Sequence, residues 1–295
     1  MRASIDIGSN SLLLLVVDGH GGVVHDEARV VGLGRGLGER GMFRPDRMEA
    51  ALAVLSDYAA TAERYGVPTD AVRAVATSAS RRAMNAATFY ATVRSRTGLR
   101  VEVVSGDEEA RLTWRGGASG LDLPDGPVLL CDPGGGSTEV VLGEGDALHA
   151  RISLEVGTVR LTERFLGYGT VDPVALARLR AHVDAEVAKV ELPAFPRAAI
   201  AVAGTATTLA AMELGLEAYD GGRVHGSALT AGALRTWTDR LLAADPDARR
   251  AWARPSPERA DTLLAGAVIL LAVLERTRRP AWRVSDRGLR WALVT

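Results

Sequence analysis

The sequence predicts an α/β protein built from two related halves, on three observations. Short apolar runs of strand length alternate with amphipathic helical stretches along its 295 residues. A strand, glycine turn, strand unit at the start of the chain recurs 126 positions later. Aromatic residues make up 5% of the chain against 47% hydrophobic residues in all, so Ala, Val and Leu must supply most of the packing, as suits helices laid on sheets.

From Ala3 to Asp18 the chain reads as a short strand carrying Asp6, a polar turn of Gly8, Ser9, Asn10 and Ser11, and a second strand through Leu12 to Val17. From Val128 to Gly143 the order returns: a strand with Asp132, a turn of Gly134, Gly135, Gly136, Ser137 and Thr138, and a strand with Glu139. Between them, Asp46 to Tyr65 places Met48, Leu52, Leu55, Tyr58 and Ala62 at three-to-four spacing and is closed by Gly66, which predicts an amphipathic helix. A strand over Val72 to Thr77, a helix over Ser80 to Arg96, a strand over Arg100 to Val104 and a helix over Asp107 to Ala118 follow. Pro124, Asp125, Gly126 and Pro127 can continue neither a helix nor a central strand, and set a domain boundary there, giving domains 1–124 and 125–295. Beyond it the pattern predicts a strand over Asp146 to Leu154, a short helix over Val159 to Phe165 and a longer one over Pro173 to Val190. A buried strand over Ala198 to Ala203 runs into Gly204 and Thr205 and a helix from Leu209. Ser256 to Arg276 reads as a core helix capped by Ser256.

Composition excludes several function classes. Lys+Arg total 35 and Asp+Glu 36, a net charge of -1. Lys189 is the single lysine, and it has no glycine near it, so the lysine-bearing glycine loop of Walker-type nucleotide hydrolases is absent. The balanced charge lacks the basic excess of a nucleic-acid binder. One cysteine, Cys131, allows neither an intrachain disulfide nor a cysteine metal cage and points to a reducing cytoplasm. The apolar run Leu12 to Val17 is too short for a signal peptide or a membrane span.

Glycine after a strand lets the backbone approach a ligand closely, and successive free N–H groups make an anion nest. Two such turns, each with an aspartate at the same offset, are suited to hold a phosphoryl group from both sides of a cleft. Asp6 and Asp132 suit Mg²⁺, which takes one or two carboxylates together with water and phosphate oxygens. Ser105 to Leu112 reads as a helix start with three successive acids, Asp107, Glu108 and Glu109. Hydrolysis needs a carboxylate within reach of an attacking water; the helix dipole alone explains acids in a first turn, and chemistry by itself does not choose among the three.

The chain resembles the exopolyphosphatase / guanosine pentaphosphate phosphohydrolase (Ppx/GppA) family. The resemblance is carried by Ile5 to Ser11, Ala76 to Asn85, Ser105 to Leu112, Asp132 to Glu139, Leu154 to Glu163, Gly204-Thr205 and Arg259-Ala260-Asp261, in family order along the chain. It implies two duplicated ribonuclease-H-like domains of the actin-like ATPase / sugar-kinase superfold with an interdomain cleft. It also implies a hydrolase that removes terminal orthophosphate from polyphosphate, with guanosine pentaphosphate as second substrate; the near-neutral charge favours short chains, and the cysteine usage a cytoplasmic location. Mg²⁺ is the implied cofactor, with Mn²⁺ as substitute. By position Glu109 matches the catalytic base, Asp132 and Glu139 the acids of the glycine loop, and Arg81 a phosphate-contacting arginine. Ser9 to Ser11 with Gly8, Gly134 to Thr138, and Gly204 with Thr205 match three phosphate loops, and Asp6, Asp132 and Glu139 form the metal set. Polyphosphate or guanosine pentaphosphate is the expected partner, with no nucleic acid and no membrane, and a homodimer is allowed. A non-catalytic alarmone or polyphosphate sensor is the alternative function, and an ATP-using kinase of the same superfold a third. Two departures stand out: Pro133 replaces an aliphatic residue before the glycine turn, and Trp291-Ala292 stand where an acid and a glycine are usual.

Overall fold

In the computed structural model, which describes residues 1–295, eleven strands form two sheets. The first holds β1 (Arg2–Ile7), β2 (Ser11–Val17), β3 (Val23–Val30), β4 (Arg73–Ala76) and β5 (Val101–Val103), in the order β3-β2-β1-β4-β5. The second holds β6 (Val128–Pro133), β7 (Thr138–Glu144), β8 (Ala147–Leu154), β9 (Ala198–Ala201), β10 (Ala228–Thr230) and β11 (Ala281–Val284), in the order β10-β11-β9-β6-β7-β8. Read from its β8 side, the second sheet repeats the first: an antiparallel three-strand meander followed by two parallel strands, with β10 added antiparallel at the edge. The repeat extends to register. Asp6 pairs with Leu13 across β1 and β2, and Asp132 pairs with Glu139 across β6 and β7.

The chain divides into a first unit, Met1–Gly116 with Leu289–Thr295, and a second, Gly117–Gly288. The expected boundary at Pro124 to Pro127 falls within the second unit, and the last seven residues return to the first. Packing explains that return. Leu289, Ala292 and Leu293 are buried with Val75, Val104 and Leu112, and Trp291 and Val294 with Leu15 and Val17. The buried Arg290 pairs with Asp26 through Nε at 3.2 Å and Nη2 at 2.9 Å, and its carbonyl accepts from Ser4 Oγ at 2.8 Å. Trp291-Ala292, one of the two sequence departures, is therefore core.

In the first unit, helix Pro45–Arg64 lays Ala51, Leu55, Tyr58 and Ala62 on the sheet, and Tyr58 Oη donates to Leu12 O at 2.9 Å. In the second, helix Leu263–Arg276 is almost wholly buried, and the enclosed Trp282 donates from Nε1 to Leu270 O at 3.2 Å. No helix is long and apolar enough to cross a membrane.

Three elements differ from the expectation. The helix expected over Ser80 to Arg96 is two, Ser78–Arg82 and Ala86–Thr97. Asn85 separates them by accepting from Phe43 N at 2.8 Å and donating to Phe43 O at 3.0 Å, the side-chain competition with helical bonding that Asn favours. The helix expected from Leu209 begins at Ala203, which takes Gly204 and Thr205 out of a loop and into its first turn. Ser256 does not cap the long helix: Pro257 starts a separate 3-10 turn, Pro257–Arg259, and the helix itself begins at Leu263.

Candidate active site

In the first unit the β1–β2 connection is a tight turn, closed by Gly8 N donating to Ser11 O at 3.0 Å. Its other carbonyls are taken by the segment after β3: Ser9 O accepts from Gly34 N at 2.7 Å, and Asn10 O from Val31 N at 2.9 Å and Gly32 N at 2.8 Å. Asp6 stands on β1 just before this turn. Loss of water around its carboxyl, and then the negative charge of Glu109, push its pKa up from 3.8 to about 7, against the pull of Arg290. β4 pairs in parallel with β1, so the short helix Ser78–Arg82 begins at the same sheet end as the turn.

That helix places Arg81. Its Nη1 donates to Glu109 Oε2 at 2.6 Å and to Val104 O at 3.0 Å. Glu109 lies in the first turn of helix Gly106–Ala118 and is 8% exposed, whereas Asp107 is exposed and the Glu108 side chain is 46% exposed. The tertiary structure thus separates the three acids that the sequence left equivalent. One faces inward onto an arginine, whereas Asp107 is exposed and Glu108 stands 3.9 Å from Arg111 on its own helix.

In the second unit β6 ends at Pro133, so the proline sits at a strand end, where a missing N–H costs little. The turn that follows is clamped through its carbonyls: Gly134 O accepts from Thr158 N at 2.9 Å, and Gly135 O from Val159 N at 3.0 Å and Arg160 N at 3.1 Å. Gly157 makes that approach feasible, because a Cβ there would meet Gly135 O at 2.5 Å and Gly135 C at 2.6 Å. Glu139 is 6% exposed and its Oε1 accepts from Ser137 Oγ at 2.9 Å and Ser153 Oγ at 3.0 Å. Thr138 Oγ1 donates to Val156 O at 2.6 Å, so that hydroxyl proton is committed to the scaffold. Burial, reinforced by Asp132 and Glu139, raises the Cys131 thiol well above its usual range, which makes it a packing residue and an unreactive thiol. Gly204 and Thr205 start helix Ala203–Glu213; Ala203 has a left-handed φ of 65°, and the guanidinium of Arg259 fills the space where a Cβ of Gly204 would stand.

Asp6, Glu109, Arg81 and the Gly8 to Ser11 turn thus belong to the first unit. Asp132, Glu139, the Gly134 to Thr138 turn, Gly204 and Thr205 belong to the second. Neither unit by itself gathers three His, Cys, Asp or Glu side chains in a metal-holding group. The donor chemistry nonetheless fits a hard divalent cation: the carboxylates offer oxygen, and Asn10 Oδ1 is buried with no hydrogen-bond partner. Sequence reasoning gave no role to Gly157 and the N–H groups of 158–160, nor to the glycine-rich stretch after β3. Their signal was present, as glycines two or three residues beyond the end of a strand.

The chain matches the Ppx/GppA phosphatase family over residues 14–294. It is 35% identical over 295 residues to exopolyphosphatase 2 of Mycobacterium tuberculosis, covering 95% of this chain and 91% of that protein. Among solved structures, the Aquifex aeolicus PPX-GPPA enzyme is 36% identical with a TM-score of 0.81, covering 99% of this chain and 98% of that one. An exopolyphosphatase from Cytophaga hutchinsonii is 25% identical with a TM-score of 0.89, over 99% and 96% respectively.

Proposed function

The chain belongs to the Ppx/GppA phosphatase family, and from that premise we propose that it is a phosphohydrolase releasing terminal orthophosphate from inorganic polyphosphate. Short chains are its leading substrates and guanosine pentaphosphate the second. It works in the cytoplasm, and a homodimer is compatible with this reading. The observation that carries the proposal is the inward-facing Glu109, hydrogen-bonded to Arg81 at 2.6 Å. A buried acid beside a phosphate-binding cation is the pairing that water activation at a phosphoryl group requires.

In the proposed reaction Glu109 accepts a proton from water as the water oxygen bonds to the terminal phosphorus. The anhydride P–O bond breaks and its electron pair leaves with the shortened chain. Arg81 shifts part of its hydrogen bonding to the phosphoryl oxygens, for which its fork is matched. The Gly8 to Ser11 and Gly134 to Thr138 turns are the residues that would offer backbone N–H groups and hydroxyls to phosphate oxygens. Gly204 and Thr205 at their helix start support a further phosphate. Asp6, Asp132 and Glu139 are the residues that would hold Mg²⁺, or Mn²⁺ in its place. When bound, the ion neutralises charge on phosphate oxygens. With a net charge of -1, the protein carries no overall excess of cations for a long polyanion, which supports a preference for short chains.

The test is orthophosphate release from polyphosphate and from guanosine pentaphosphate with Mg²⁺ or Mn²⁺. Glu109→Gln, which keeps an acceptor for Arg81, is expected to lower the rate by roughly a hundredfold to ten-thousandfold in a chain that still folds. Absence of release by the wild type from either substrate would overturn the proposal. Binding measured by calorimetry without release would instead identify a sensor.

A further inference from the structure

Between β3 and helix Pro45–Arg64 the chain carries Gly32, Gly34, Gly36, Gly38 and Gly41, a glycine density that the proposed reaction does not use. The structure shows what two of these positions do. Gly34 lies against the phosphate turn: a Cβ there would sit 3.1 Å from Ser9 Cβ and 3.2 Å from Ser9 O, and its N–H donates to Ser9 O at 2.7 Å. Gly32, at φ +66°, is a slot for Arg35, since a Cβ on it would meet Arg35 Nε at 2.8 Å and Cδ at 2.9 Å. Gly32 N in turn donates to Asn10 O at 2.8 Å. The Arg35 side chain therefore lies folded across the backbone that is fastened to Ser9 and Asn10.

The far end of the segment is fastened to the Arg81 turn. Met84 N donates to Gly41 O at 2.9 Å, and Asn85 holds Phe43 through both of its backbone groups. The stretch from Val31 to Phe43 thus runs, within the first unit, from the Ser9-Asn10 turn to the residues after Arg81. Of the two cations in this stretch, Arg35 is the one packed on Gly32, while Arg40 is exposed further along.

We propose that Arg35 is a substrate-recognition residue that binds a phosphate of the polyphosphate chain other than the one released. The inference rests on the polyphosphate-hydrolase reading. An arginine serves this purpose because its fork matches phosphate oxygens and it stays charged at every working pH. Its stem, laid against Gly32, is ordered before substrate arrives, so little side-chain freedom remains to be lost on binding.

The experiment is steady-state hydrolysis of polyphosphate by Arg35→Met, Arg35→Lys and Arg40→Met, with thermal midpoints alongside. Arg35→Met keeps the stem over Gly32 and removes the charged fork. It is expected to raise KM about tenfold, as for loss of one charge-assisted contact, with kcat within about twofold, the signature of binding shared by ground and transition states. Arg35→Lys recovers part of the loss, and Arg40→Met changes neither constant. An unchanged KM in Arg35→Met, or a fall in kcat with KM constant, overturns the proposal. Should the wild type release no phosphate, the hydrolase reading fails separately. Calorimetric binding of polyphosphate to wild type and Arg35→Met then decides: weaker binding by the variant upholds the role of Arg35, and equal affinity overturns it.

Discussion

Among the three acids Asp107, Glu108 and Glu109, which stand on consecutive positions of one helix turn, the inward one meets Arg81 at 2.6 Å. Spacing along a helix says that neighbours point in different directions, but it does not say which direction is occupied by a cation. A second residue whose chemistry is set by its surroundings is His225. Its Nδ1 accepts from Asp286 N at 3.3 Å, which requires the neutral ring, and burial lowers its pKa below 6.5. Arg287 and Arg283 add to the lowering, while Gly120 and Asp286 oppose it. A base with a depressed folded pKa binds fewer protons folded than unfolded, so its contribution to stability is present above pH 6.5 and is lost as pH falls through the folded value. The thermal midpoint is expected to drop as pH falls below 6.5, and His225→Asn, which keeps an acceptor without the titration, is expected to flatten that slope. An identical slope in the variant would rule the assignment out.

At the scale of elements, the two glycine turns are ordered from outside. The Gly134 to Ser137 turn is held by the N–H groups at the start of helix Thr158–Leu161, and the Gly8 to Ser11 turn by the segment after β3. Those bonds take turn carbonyls, while the Gly8 N–H is spent on Ser11 O at 3.0 Å and the Gly134 N–H on Asp132 O at 3.0 Å. Gly157→Ala tests this. The new Cβ would meet the backbone of Gly135 and Gly136, which has no flexible end to give way. The variant is expected to lose about 1–3 kcal/mol of stability from overpacking, measured by urea unfolding, and at least tenfold in phosphate release, since displacing a loop by an ångström is felt strongly in positioning. A fully active variant would show that the turn adapts. The junction at Asn85 was not visible in periodicity, because the apolar spacing continues through it. Only the distant Phe43 backbone gives that side chain a reason to interrupt the helix.

At the scale of the whole molecule, the closing segment belongs with the first residues of the chain. Arg290 is buried and paired with Asp26, and its removal leaves that carboxylate without this pairing while Trp291 and Val294 lose their anchor. Arg290→Ala is therefore expected to destabilise the first unit by about 3 kcal/mol or more, read as an earlier unfolding transition for that unit than for the second. Coincident, unshifted transitions would refute the structural role of this segment. The sequence by itself determined the alternation of strands and helices, the duplication with its 126-residue offset, the two glycine turns and the family, because each is written in local pattern or in motif order. The tertiary structure alone decided which acid faces Arg81, where the units divide, and that Gly157 and Gly34 carry the turns. It also showed that Trp291 is core. Those facts depend on contacts between residues far apart in the chain, and local propensity carries no information about which distant backbone, charge or side chain will fill the space beside a given residue.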